Sequence, residues 1–224
     1  MFDKYKILHS LYFNKLARIF INYLFKNKYI DNYNINIFYP ILLPRNDSVL
    51  LINILNNFLF LKNLTTCLEL GFGSGFFNNV FKCNNMKFIF ISFDKKYLCF
   101  INSKINCKNL YTFCCSWTYF LFNIKKYNII FSNPPYLSIE NFNFYFKKNE
   151  KTKYSLSSNN YGLYDIFIII CFCYYILILN GVLILEHGYN QSKLIRNLMK
   201  LIGFINIYTF KDYNYLCRVT YSEK

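Results

Sequence analysis

Tyr127-Asn128-Ile129-Ile130-Phe131-Ser132-Asn133-Pro134-Pro135-Tyr136-Leu137 is an apolar run brought to a halt by two prolines. Tyr127 to Phe131 reads as a buried parallel strand. A Pro-Pro pair cannot extend a sheet ladder, and it holds the residue before it in an extended conformation. The strand end is therefore a stiff shelf bearing one amide, Asn133, and one phenol, Tyr136. Open α/β proteins bind ligands at the carboxyl ends of parallel strands. A rigid turn that happens to carry Asn and Tyr fits the short motif as well.

Outward from this stretch, strand and helix patterns alternate. Upstream, Cys67-Leu68-Glu69-Leu70 reads as a short strand, Gly71-Phe72-Gly73-Ser74-Gly75 as the turn leaving it, and Phe76 to Lys82 as the helix that follows. Phe88 to Phe93 is a second strand ending in Asp94, Lys95 to Lys104 a helix, and Leu110 to Cys115 a third strand. Downstream, residues 141 to 160 are polar and lysine-rich, as a long loop beside the shelf would be. Leu163 to Leu179 reads as a helix, Gly181 to Glu186 as a fifth strand and Ser192 to Ile202 as a helix. Phe204 to Lys211 and Leu216 to Tyr221 are spaced for a closing antiparallel hairpin. This alternation predicts an α/β fold, a doubly wound sheet with helices on both faces. Before it, Ile7, Leu11, Leu16, Phe20 and Leu24 recur at roughly helical spacing, which predicts two short helices within residues 1 to 30. Residues 31 to 36 read as a linker, and Asp47 or Ser48 as the N-cap of a helix over Val49 to Phe60.

The 224 residues suit one substantial domain with a small appendage. Phe (26) and Tyr (22) far outnumber Gly (7), and Lys, Asn and Ile are also abundant. All five have AT-rich codons, which points to a reduced genome, that of an endosymbiont or organelle. The net charge of +15 is thus weak evidence for nucleic-acid binding, and no arginine cluster marks a basic face. Nine cysteines, without any Cys-x-x-Cys pair, read as small buried hydrophobes in a reducing compartment. His9 and His187 stand apart from any cysteine pair, so no metal site is expected. No signal peptide is read at Met1 to Lys6, and the longest apolar run, Ile166 to Leu179, is short for a membrane span. A cytoplasmic protein, a monomer without a membrane partner or a stable nucleic-acid complex, is expected.

Gly71, Gly73 and Gly75 let backbone approach a ligand closely. Glu69, just before the turn, would repel a pyrophosphate and welcome an ammonium group. Asp94, about 20 residues on, is placed to take a ribose diol, although it also suits a helix N-cap before Lys95. A ribose, a cationic amino-acid part and no phosphate describe S-adenosylmethionine. The shelf then has a role. An amide or exocyclic amine is a poor nucleophile, its lone pair delocalised, and must be held by its N–H groups and aimed at the methyl carbon. The Asn133 side-chain oxygen and the Pro134 carbonyl are two such acceptors, and Tyr136 offers a flat wall.

Glu69 to Gly75, Asp94, Ser132-Asn133-Pro134-Pro135-Tyr136 and Leu185-Glu186-His187-Gly188-Tyr189 occur in the order and spacing of HemK-like peptide chain release factor N5-glutamine methyltransferases, which the chain resembles from about residue 35 to 221. Leu43-Pro44-Arg45, Lys211-Asp212-Tyr213 and Arg218-Val219-Thr220 are also similar to that family. Asn-Pro-Pro-Tyr alone is shared with nucleic-acid amino-methyltransferases. The resemblance implies a Rossmann-like methyltransferase domain over 35–224, with a mostly parallel seven-stranded sheet and a closing hairpin, after a reduced N-terminal helical segment over 1–34. It implies S-adenosylmethionine bound by Glu69, Gly71, Phe72, Gly73, Ser74, Gly75, Asp94 and Asn133, with Trp117 near the adenine unless it is ordinary core. It implies Asn133, Pro134, Pro135 and Tyr136 as the glutamine site, Asn133 and Tyr136 being catalytic, His187 in support, and release factors as partners. Ser116 stands where the family usually has an acid, Asn46 replaces a usual proline, and Asn180 a usual glycine. A nucleic-acid amino-methyltransferase and a decayed, non-catalytic binding protein are the alternatives.

Overall fold

The computed structural model describes residues 27–30, 35–38, 41, 44–59, 65–83, 88–94, 97–106, 111–115, 126–138, 157–158 and 163–224. Two short strands, β1 (Asn27–Ile30) and β2 (Ile35–Phe38), pair antiparallel. The main sheet and its helices follow as α1 (Asn46–Leu59), β3 (Thr65–Leu70), α2 (Phe76–Cys83), β4 (Phe88–Asp94), α3 (Tyr97–Asn106), β5 (Tyr111–Cys114) and β6 (Tyr127–Ser132). After β6 come β7 (Leu137–Ser138), β8 (Ser157–Ser158), α4 (Tyr164–Ile176), β9 (Leu177–Glu186), α5 (Ser192–Ile202), β10 (Ile205–Lys211) and β11 (Cys217–Glu223).

The strand order of the main sheet is β10-β11-β9-β6-β3-β4-β5, with β9, β6, β3, β4 and β5 parallel and β11 antiparallel to both its neighbours. The α/β class expected from the alternation is the class observed. From β3 the chain steps outward to β4 and β5, then reverses and lays β6 on the other side of β3. The crevice at such a reversal is where this architecture binds ligands. It puts the glycine turn after β3 and the proline shelf after β6 side by side.

The two-residue period of the strands sorts their side chains between two cores. Cys67, Ile129, Phe131, Val182 and Ile184 face α1 and α2, where Leu51, Leu55 and Phe77 pack on them. The Phe77 ring meets Phe131 edge-on at 5.3 Å. Leu68, Leu70, Ile130, Leu183 and Leu185 face α4 and α5, against Ile166, Ile169, Ile170, Ile195 and Met199. Full burial of each such aliphatic stabilises by about 1.5–3 kcal/mol before entropy is charged.

Several sequence expectations change. Asn27–Ile30, read as the end of a helical segment, is a strand; the Asx-rich sequence between it and β2 has the chemistry of a chain reversal, which the helical reading overlooked. The rest of the proposed helical segment, residues 1–26, lies outside the described residues. Helix α1 begins at Asn46, before the expected caps, and Ser48 reaches back to accept the Arg45 N–H at 3.3 Å. Helix α4 ends at Ile176 rather than Leu179, and β9 begins at the next residue. An unbroken apolar run carries no period to mark that switch. A bulge then absorbs the extra residues between the pairs Tyr127↔Leu177 and Ile129↔Val182, with Asn180 left-handed at φ 58°. That conformation accounts for Asn where glycine is usual. Ser157 and Ser158, within the stretch read as loop, pair with β7; residues 139–156 and 159–162 lie outside the described residues. Among the described residues no helix is long and apolar enough to cross a membrane.

Helix α5 ends on Gly203, at φ 110°, whose N–H caps the carbonyls of Met199 and Lys200. A Cβ there would stand 2.8 Å from the Tyr174 hydroxyl. Gly203→Ala is expected to lower the unfolding free energy by about 1–2 kcal/mol, the cost of a left-handed L-residue, before any repacking of Tyr174. Urea midpoints at constant m-value measure it, and an unchanged midpoint would show that the turn rearranges freely.

Candidate active site

The site is built where three parallel strands stop. Leu70 ends β3 and Ser132 ends β6 beside it, in register. The buried Ser132 hydroxyl donates to the Leu70 carbonyl at 2.7 Å, tying the two strand ends just before their loops diverge. Gly71, Gly73 and Gly75 all have positive φ (80°, 51° and 78°), so the turn is closed to ordinary side chains. A Cβ on Gly75 would press on Ser103 of α3 at 3.2 Å, whereas one on Gly73 would meet nothing within 4 Å. The turn is thus packed behind and open in front. Asn102 and Asn106 of α3 donate to the Ser74 carbonyl at 2.7 and 3.1 Å, and Phe72 is buried beneath.

Asp94, the last residue of β4, is buried, and its Oδ2 accepts the Gly73 N–H at 2.9 Å. Acid and glycine turn are one rigid unit. Glu69 is buried two residues before Gly71, on the sheet face it shares with Phe131. Trp117 and Ser116 lie outside the described residues.

Across the crevice, Asn133 and Tyr136 are half-buried and Pro134 is buried. Two side chains that sequence reading passed over fix this shelf from below. Gln191, ahead of α5, donates its Nε2 to the Tyr136 carbonyl at 2.9 Å and accepts the Gly188 N–H on Oε1 at 2.9 Å. It clasps the loop after β6 to the loop after β9. Ser132 is the second. The signals available were a hydroxyl at a strand end and a polar residue leading an apolar-periodic helix, neither of which names its partner.

The Tyr136 hydroxyl donates to Glu186 Oε1 at a long 3.4 Å. Burial pushes the Glu186 carboxyl up to about 8, and the nearby Asp47 charge pushes the same way against Arg218. The balance favours the protonated form of Glu186, and its Oε2 has no hydrogen-bond partner among the described residues. Burial likewise holds the Tyr136 phenol well above its usual range, so it stays protonated.

His187 is wholly buried. Its Nδ1 lies 2.9 Å from the Gly188 carbonyl, which can only accept, so Nδ1 carries the proton. Nε2, 2.8 Å from Thr220 Oγ1, then accepts from that hydroxyl, which in turn accepts a hydrogen bond from the Thr209 hydroxyl at 3.0 Å. Burial lowers its pKa to about 4. With both nitrogens committed, His187 braces β9 to β11 and is no base. On the rim, Arg218 Nε pairs with Asp212 at 3.1 Å and approaches Asp47 at 3.8 Å, and its guanidinium faces the Tyr189 ring at 6.0 Å.

The geometry sets two hydrogen-bonded turns at neighbouring strand ends, Asp94 and Glu69 at one, and the Asn133 amide and the Tyr136 phenol, backed by Glu186, at the other. No group of His, Cys, Asp and Glu suited to a metal occurs among the described residues. The chain is 34% identical over 230 residues to a release factor glutamine methyltransferase of Buchnera aphidicola subsp. Acyrthosiphon pisum (strain APS), across 99% of this chain and 81% of that protein. The chain belongs to the release factor glutamine methyltransferase family. A second member of the family, from Buchnera aphidicola subsp. Schizaphis graminum (strain Sg), is 30% identical across 99% of this chain and 82% of its own. No family model matches. Among solved structures, a methyltransferase from Pyrococcus furiosus superposes with TM-score 0.62 at 15% identity, across 98% of each chain. The N-methyltransferase NodS from Bradyrhizobium japonicum, solved with S-adenosyl-L-homocysteine, gives 0.55 at 10% identity, across 80% of this chain and 87% of that one. These two likenesses bear on the fold alone.

Glu186 and His187 give the family member opposite pH slopes. Between about pH 4.5 and 8 the folded chain keeps a proton on Glu186 that the unfolded chain has released, so stability falls as pH rises. His187 works the other way: the unfolded chain takes up its proton near 6.5 and the folded chain near 4, so stability falls as pH drops through that window. The slopes oppose each other below 6.5, and Glu186 acts alone above it. Glu186→Gln should therefore gain about 1–2 kcal/mol on the parent between pH 6.5 and 8. Denaturation midpoints of both proteins at the two pH values test this; a constant difference would mean Glu186 ionises normally.

Proposed function

We propose that this protein methylates the side-chain amide of the glutamine in the Gly-Gly-Gln motif of peptide chain release factors, with S-adenosylmethionine as the methyl donor. The observation that carries the reading is the pairing, across the switch-point crevice, of an open glycine turn bonded to Asp94 with a braced Asn133–Tyr136 shelf.

The residues fit the donor. The space in front of Gly73 admits a ligand against bare backbone. Gly71, Phe72, Gly73, Ser74 and Gly75 would hold its amino-acid part, Glu69 its ammonium and Asp94 its ribose hydroxyls. Bound there, S-adenosylmethionine supplies a methyl on a positively charged sulfur that departs neutral.

Asn133 Oδ1 and the Pro134 carbonyl accept the two amide hydrogens of the substrate glutamine and so orient its nitrogen. Pro135 stiffens the loop, and Tyr136 walls the planar amide. No side chain has to deprotonate the amide beforehand, in keeping with His187 being spent on structure. Positioning then supplies most of the acceleration, and loss of alignment by an ångström costs about a hundredfold. The seven strands with the β10–β11 pair make up the catalytic sheet, residues 35–224 the methyltransferase domain, and residues 1–34 an accessory segment. The reading carries with it a cytoplasmic monomer, in an endosymbiont or an organelle.

Incubation with labelled donor, release factor and total RNA tests the assignment by where the label goes. Label on the Gly-Gly-Gln glutamine supports it, and label in RNA overturns it. Asn133→Ala should lower transfer by about a hundredfold or more while donor affinity stays within a few fold. Unchanged transfer would remove Asn133 from the site.

A further inference from the structure

Strand β11 runs antiparallel to β9 with Val219 opposite Glu186. Arg218, Cys217 and the turn before them therefore project past the end of β9, on the edge that carries Asn133 to Tyr136. The turn, Asp212 to Leu216, is unusually well built. Asp212 Oδ1 accepts the N–H groups of Asn214 and Leu216 at 2.8 and 3.0 Å, and Oδ2 takes Arg218 Nε at 3.1 Å. The backbone closes twice, Tyr215 N–H to the Asp212 carbonyl at 2.9 Å and Asp212 N–H to the Leu216 carbonyl at 2.8 Å. What this frame holds out is aromatic: Tyr213 is 76% exposed and Tyr215 82%, with Tyr189 exposed beside Arg218.

Tyr215 also occupies a costly conformation. Three non-glycine residues among those described have positive φ: Asn180 at 58°, Asn206 at 48° and Tyr215 at 59°. Asparagine visits this region readily, whereas tyrosine does so rarely and at a cost. Asn and Tyr share AT-rich codons, so composition does not favour the tyrosine here. Strain kept at an exposed ring, where the easier residue is at hand, points to use of that ring.

We infer that the Asp212–Leu216 turn is a docking finger, on which Tyr213 and Tyr215 receive the protein surface flanking the substrate glutamine. This rests on the reading of the substrate as a glutamine in a protein. A protein partner fits better than a nucleic acid, because residues 212 to 217 carry no basic side chain in a chain with 26 Lys and Arg, and Arg218 is engaged by Asp212. Phosphate contacts need cations, whereas rigid tyrosines are favoured in protein interfaces. Arg218 links the finger to the site, joining Asp212 on one side and Tyr189 on the other.

The test compares Tyr213→Ser with Tyr215→Asn, singly and together, on intact release factor and on a short Gly-Gly-Gln peptide. Tyr215→Asn suits the left-handed backbone, so its Tm should equal or exceed the parent's. The double variant should raise KM for the release factor about tenfold with kcat unchanged, and leave both constants for the peptide unchanged. An unchanged KM for the release factor overturns the docking role alone, as does an equal loss on the peptide. A parent protein that methylates neither substrate overturns the functional reading and the docking role with it.

Discussion

A parallel sheet leaves its strands unfinished at the carboxyl end, and loops that start there are free to splay unless something ties them. Here a line of hydrogen bonds runs across the strand ends. The Ser132 hydroxyl binds the Leu70 carbonyl, joining β3 to β6. Gln191 then binds Tyr136 and Gly188, joining the loops after β6 and β9. His187, Thr220 and Thr209 carry the line on through β11 to β10, with the Arg218 carbonyl taking the His187 N–H at 2.9 Å. The glycine turn, the proline shelf and the rim turn are all hung from this line. Each keeps its place relative to the others because the strand ends cannot slide.

The line is mostly neutral, and that follows from where it lies. Ser132, Gln191, His187 and Thr220 are buried, and there an unpaired charge costs far more than a neutral hydrogen bond contributes. Burial pushes the His187 pKa down and the Glu186 pKa up, so both favour their neutral forms. On the rim, Arg218 joins Asp212 and Asp47 in a charged cluster.

The sheet could be read in the sequence because burial on both faces writes itself as short apolar runs, and glycine and proline punctuate them. The position of Asn133 to Tyr136 was legible for the same reason: two prolines can end a strand but cannot lie within it. The boundary between Ile176 and Leu177 was not, since helix and buried strand look alike in an unbroken apolar run. Nor were Ser132 and Gln191. Their partners lie 62 and 55 residues away and are backbone carbonyls, which no side-chain pattern encodes. The strand at Asn27–Ile30 was hidden by a composition in which aromatic and aliphatic residues fall at helical spacing almost anywhere.

The same neutrality bears on the chemistry. Buried acids stand on both sides of the crevice, and they differ in what surrounds them. Asp94 and Glu69 adjoin the glycine turn, on the side where the proposed donor would carry its positive charge. Glu186 stands behind the shelf, where an ionised carboxylate would compete with Asn133 Oδ1 for the N–H groups of an amide. Burial favours its neutral form, and with the Tyr136 hydroxyl donating to Oε1 that form would leave Asn133 the stronger acceptor for the proposed amide substrate. On the proposed reading, acids at one turn and a neutral wall at the next set the charged donor apart from the uncharged amide acceptor by electrostatics.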